Sequence, residues 1–100
     1  MEYLKVEWLH SNKLYPILLY SELDEDRMEI RKVEQYRDGK FCFADHERAT
    51  GDTQLSIEPL PSIENIASDP QFLPTQITHQ EFEDVWMRCS GSTELKSPPS

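Results

Sequence analysis

Glycine is scarce, with three residues in 100, and no glycine-rich loop is present to cradle a phosphate. Cysteine is scarcer. Cys42 and Cys89 lie far apart and outside any C-x-x-C pattern, so free thiols in a reducing compartment are expected. No apolar run is long enough to span a bilayer, and the opening MEYLKVEW lacks the basic-then-apolar order of a signal peptide. A cytoplasmic location is therefore the expectation. Positive charge is short as well. Ten Lys and Arg stand against 19 Asp and Glu, a formal net charge of −9, and such a surface repels a phosphate backbone. No nucleic-acid partner and no membrane partner are expected, whereas a basic protein suits the charge. The nucleophile elbow and the H-E-x-x-H helix are also missing.

What is present is enough for one modest core. A chain of this length buries about two-thirds of its unfolded surface, and two Trp, four Tyr and four Phe supply bulky material for it. The stretch RMEIRKVEQYRDGKFCFAD organises the rest. Two runs of strand-forming residues flank Asp38-Gly39, a strong hairpin signal in which both turn positions tolerate positive φ. Before the turn, Met28, Ile30 and Tyr36 share one parity and Val33 the other, which places a bulge near Arg31-Lys32. Glu2 to His10 alternates, with Leu4, Val6 and Trp8 on one face and Tyr3, Lys5 and Glu7 on the other. Tyr15 to Leu23 reads as a further strand, with Pro16 at its start or on an edge.

Two helices follow. Pro61 suits the first turn of a short helix through Ile63, Ile66 and Ala67, which Asp69-Pro70 ends. Thr78 and Glu81 match a capping box, and Phe82, Val85, Trp86 and Cys89 form an i, i+3, i+4, i+7 stripe. The expected architecture is α+β: an antiparallel sheet of about four strands around the Asp-Gly hairpin, one face covered by the short helix and the C-terminal helix. Residues 1–91 form the domain, and 92–100 read as a disordered polar tail.

Chemistry-bearing residues gather at two places. Glu22, Asp24, Glu25 and Asp26 form an acidic run without the ligand periodicity or central glycine of a calcium loop. Asp45, His46 and Glu47 follow the central hairpin, and Cys42 with His46 offers too few ligands for zinc. No metal and no cofactor are expected. A solvated turn is the ordinary reading of such a run, and a partner-binding surface is the functional one.

The segments MEYLKVEWLHSN, LLYSELDEDRMEIRKVEQYRDGK, EPLPSIENIASDPQF and ITHQEFEDVW, in that order, resemble a family of small bacterial proteins known only as a domain of unknown function. Its KVEW strand, LYSE-plus-acidic turn, RKVE strand and closing EFE-x-VW helix run from about Met1 to Trp86 here, leaving Cys42, Cys89 and the tail after Arg88 outside the pattern. The resemblance carries no catalytic residues over. The leading expectation is a non-enzymatic protein-binding module, in its most concrete form an immunity-type inhibitor of a basic toxin, contacting Lys and Arg through Glu22, Asp24, Glu25, Asp26, Asp45 and Glu47. One alternative is a small enzyme or ligand-binding domain using Asp45, His46 and Glu47, with a concave apolar pocket beside them. A third is an accessory module of a larger assembly.

Overall fold

Alternation along the strands decides the architecture. In the computed structural model, which describes residues 1–51 and 53–91, five strands form one antiparallel sheet in the order β4-β3-β2-β1-β5. They are β1 (Glu2–Trp8), β2 (Leu18–Leu23), β3 (Glu29–Gln35), β4 (Phe41–Ala44) and β5 (Phe72–Ile77). The expectation of about four strands missed β5. Its run FLPTQI contains Pro74, which argues against a strand, but β5 lies on the free edge, where a missing amide removes no ladder bond. The call on the tail, residues 92–100, lies outside the described residues, as does Asp52 of the bend expected at Gly51-Asp52.

One face of the sheet carries Tyr3, Tyr20, Val33 and Phe43, and α2 (His79–Trp86) lies across it. The helix begins as its sequence requires. The Thr78 hydroxyl accepts from the Glu81 amide at 3.1 Å, and the Thr78 amide donates to the Glu81 carboxylate at 2.9 Å. Phe82 and Trp86 are buried from the helical stripe, with Val85 and Cys89 packed against the same cluster. Phe43 meets Trp86 edge-on with ring centroids 5.3 Å apart, and Tyr3 lies 5.5 Å from Phe82. Beyond Trp86 the backbone continues with π-helical geometry over Met87–Gly91.

The other face carries Leu4, Val6, Ser21, Leu23 and Cys42, and among the described residues no long helix covers it. An irregular strap, residues 53–61, runs over it, followed by α1 (Ile63–Ala67). The two helices thus sit on opposite faces rather than together: Asn65 and Ile66 of α1 line the same cavity as Val6, Leu19 and Ser21. The physical reason is β5, which separates them in the chain and pairs at the sheet edge. Ser62 caps α1, accepting from the Asn65 amide, so Pro61 falls one residue before the cap rather than inside the first turn.

Polar fasteners hold the strap. Thr53, almost wholly buried, donates to Glu34 at 2.8 Å, the Lys32 ammonium donates to the Gln54 carbonyl at 3.3 Å, and the Ser56 amide donates to Glu29 at 2.7 Å. Arg27 donates to the carbonyls of Leu60 and Pro61 at 3.0 and 2.6 Å and pairs with Glu2. Gly51 approaches the sheet so closely that a Cβ there would stand 2.8 Å from the Cys42 sulfur, and its φ of +59° independently favours glycine.

The hairpin turns share one hydrogen-bond pattern. The Tyr36 amide donates to Lys40 and the Gly39 amide back to Tyr36, which makes a three-residue turn with positive φ at Gly39 alone. A tight two-residue Asp-Gly turn, as the sequence suggested, would need it at both positions. The β2–β3 turn repeats the pattern from Asp24 to Met28, but its left-handed residue is Arg27, at φ 64°. The bulge falls one residue from where parity placed it: Glu22 pairs with Arg31 and Leu23 with Glu29, leaving Ile30 unpaired. That extra residue sends Arg31 to the α2 face and Glu29 to the strap face.

Candidate functional site

The six carboxylates expected at a partner surface divide into three kinds. Glu22 turns inward, 7% exposed, and belongs to the α2 face instead of the acidic surface. Its position is fixed by strand parity, since it stands opposite Tyr3 and Arg31. Arg31 bonds the Glu22 carboxylate at 2.5 and 3.1 Å and reaches Glu83 on α2. Its guanidinium also lies over the Phe82 and Trp86 rings, 4.9 and 5.0 Å from their centroids. Tyr3 donates to Glu22 at 3.0 Å. Burial opposes the Arg31 charge, but the bonds to both glutamates outweigh it and raise its pKa above the ordinary value. Burial, followed by the bond to Glu22, raises the Tyr3 hydroxyl as well.

Asp24 and Asp45 shape turns. The Asp24 carboxylate accepts from the amides of Asp26 and Met28, both at 2.9 Å. Asp45 does the same with the amides of Glu47 and Arg48, at 2.9 and 2.7 Å. Burial alone would raise the Asp45 carboxyl. The two amides and the Arg48 charge, 3.6 Å away, prevail and hold it below its usual range. In both turns the aspartate is spent on the backbone, and the residues after it are presented outward.

Glu25, Asp26 and Glu47 are those outward residues, all exposed, as is His46. The two turns lie at the same end of the sheet, where β2 and β4 finish and β3 begins. Glu58 joins them from the strap, between Ser56, which bonds Glu29, and Leu60, which bonds the Arg27 carbonyl. Glu25, Asp26, Glu47 and Glu58 make no ion pair among the described residues, and Arg48 is the exposed cation beside them. Sequence reasoning missed Glu58, since it lies far along the chain from both acidic turns.

Cations gather at the opposite end. Lys13 on the β1–β2 connection and Arg37 and Lys40 on the β3–β4 turn line a cavity of about 560 Å³ with Tyr36 and Asp38. A second cavity, about 440 Å³, adjoins it at Arg37 beside Trp8 and His10. A third, about 400 Å³, lies on the strap face. Asp45, His46 and Glu47 line none of these three. Cys42 is buried under Gly51 on the strap face, while Cys89 packs against the α2 cluster, so the thiols stand on opposite sides of the sheet and are not joined in a disulfide. Among the described residues, no three His, Cys, Asp or Glu side chains are grouped to hold a metal ion, and no helix is long and apolar enough to cross a membrane.

The fold is that of an α+β domain whose antiparallel sheet is closed by a C-terminal helix on one face and a fastened strap on the other. The chain belongs to the family described as the domain of unknown function DUF6881, whose model matches residues 2–91. No curated protein and no solved structure matches it.

Proposed function

We propose that this domain is a protein-binding module that engages a basic partner through the acidic end of its sheet. The observation that carries the reading is the separation of charge between the sheet's ends. Glu25, Asp26, Glu47 and Glu58 face solvent at one end, whereas Lys13, Arg37 and Lys40 stand at the other. Arg27 and Arg31, the cations nearest the β2–β3 turn in the chain, are turned into the strap and the α2 face. The Asp24 and Asp45 turns supply rigidity: carboxylates held in place before contact lose less freedom on binding. Such a surface speeds encounter with a positively charged partner and selects against acidic ones. An immunity-type inhibitor that covers the active site of a basic toxin is the concrete form that suits a small acidic domain.

The test is retention of partners by the immobilised wild-type chain and by the triple variant Glu25→Lys, Asp26→Lys, Glu47→Lys. These side chains are exposed, so the fold should survive, and circular dichroism checks that it does. A basic protein retained at low salt, weakened by moderate salt and lost in the variant, supports the reading. Undiminished retention by the variant would remove the acidic end from the interaction.

A further inference from the structure

The strap face holds a cavity that the proposed partner surface does not use. It lies between the sheet, the strap and α1, and its volume of about 400 Å³ falls within the ligand-pocket range of about 300–1,000 Å³. Val6 and Leu19 of the sheet, Leu60 of the strap, Ile66 of α1 and Phe72 of β5 give it apolar walls. Set into those walls is Glu29, a carboxylate only 5% exposed.

Glu29 differs from an ordinary buried acid in what surrounds it. Ser21 donates to one carboxylate oxygen at 2.6 Å and the Ser56 amide to the other at 2.7 Å. Each oxygen can accept a further bond. Both donors are neutral, and Glu29 makes no ion pair among the described residues. Lys32 lines the same cavity, but its ammonium is directed to Glu34 at 3.5 Å and the Gln54 carbonyl at 3.3 Å. The remaining charged group on the wall is Asp69, which is also acidic. Hydrogen bonds position a buried carboxylate, whereas a cation compensates its charge.

We propose that this cavity is a binding site for a small organic ammonium ion, its charged head on Glu29 and its hydrocarbon body against Val6, Leu19, Leu60, Ile66 and Phe72. The head supplies N–H donors and positive charge to oxygens that have room for both. The body displaces water from an apolar lining. A carboxylate-bearing ligand of the same shape meets Glu29 and Asp69 and is rejected. The assignment is independent of the acidic end, so either can fail without the other.

Phenethylammonium is a suitable probe, with 3-phenylpropionate and 3-phenylpropanol as anionic and neutral counterparts of similar size. Methyl NMR titration of the full chain should show saturable shifts at Leu19 and Ile66 for the ammonium ion. Its affinity should exceed that of either counterpart by about tenfold or more, and Glu29→Gln should weaken it by a similar factor. Ile66→Trp fills the cavity from α1 while keeping Glu29, and should abolish binding in a chain that still folds. This second variant decides the matter if Glu29→Gln does not fold. Absence of saturable binding to the wild-type chain overturns the proposal. So do equal affinity for 3-phenylpropionate, shifts that map away from the strap face, and binding unchanged in either folded variant.

Discussion

The sheet buries a glutamate on each face, and the two are treated differently. Glu22, beneath α2, is gripped by Arg31, whose guanidinium also pairs with Glu83 and rests on two aromatic rings. Glu29, beneath the strap, receives a hydroxyl and an amide and, among the described residues, no cation. The closing elements explain the difference. A helix lies flat and brings a regular row of side chains onto the sheet, so charge and packing can be matched together. An irregular strap held at a few polar points leaves space beside its carboxylate. The helix-covered face therefore reads as the structural half of the molecule, and the strap-covered face as the half with room for something else.

The strongest way to break the comparison is to remove the cation that distinguishes the two. Arg31→Ala would leave Glu22 buried without its partner and release Glu83 on α2, at a cost of about 3–5 kcal/mol in denaturant unfolding. A smaller effect comes from the strap's main fastener. Arg27→Ala loses the bonds to the Leu60 and Pro61 carbonyls but keeps a side chain at positive φ, whereas Arg27→Gly loses the bonds and relieves the backbone. Both should be destabilised, the glycine variant less so by about 1 kcal/mol, and both should leave near-ultraviolet signals of the α2 aromatic cluster unchanged.

Acidification should touch the α2 face in a defined direction. The Arg31 bond holds the Glu83 carboxyl below its ordinary value of 4.5, with His79 adding to it and burial opposing. A carboxyl depressed on folding contributes fully above its unfolded pKa and loses that contribution as the pH falls through its folded value. Melting temperature should therefore drop below about pH 4.5, and Glu83→Gln should flatten that drop. The effect should stay under about 1 kcal/mol, because Glu83 is partly solvated.

Legibility in the sequence followed the same division. The α2 face could be read from local signals: the Thr78–Glu81 box fixed where the helix starts, and the Phe82, Val85, Trp86 stripe fixed which side turns inward. The strap face could not. Its covering segment has no periodicity, and the strand beside it contains Pro74. Glu22 was grouped with the acidic run although the expected strand, Tyr15 to Leu23, already contained it, and its place opposite Tyr3 points it under the helix. Arg31 could not be placed from parity, because a bulge displaced by one position reverses which face it occupies, and Glu29 is buried by the strap, which no periodic pattern announces. Among the candidate carboxylates, the exposed members Glu25, Asp26 and Glu47 were legible, since turns project their residues to solvent whatever the sheet does.

The most direct test of the contrast between the faces is equilibrium unfolding of Glu22→Gln and Glu29→Gln side by side. Removing the charge of a carboxylate paired with arginine should cost about 2 kcal/mol, and removing that of one held by neutral donors should cost about 1 kcal/mol or less. Glu22→Gln should therefore be clearly the less stable of the two. Equal losses, or a larger loss at Glu29, would contradict the account that one face is electrostatically complete and the other is not.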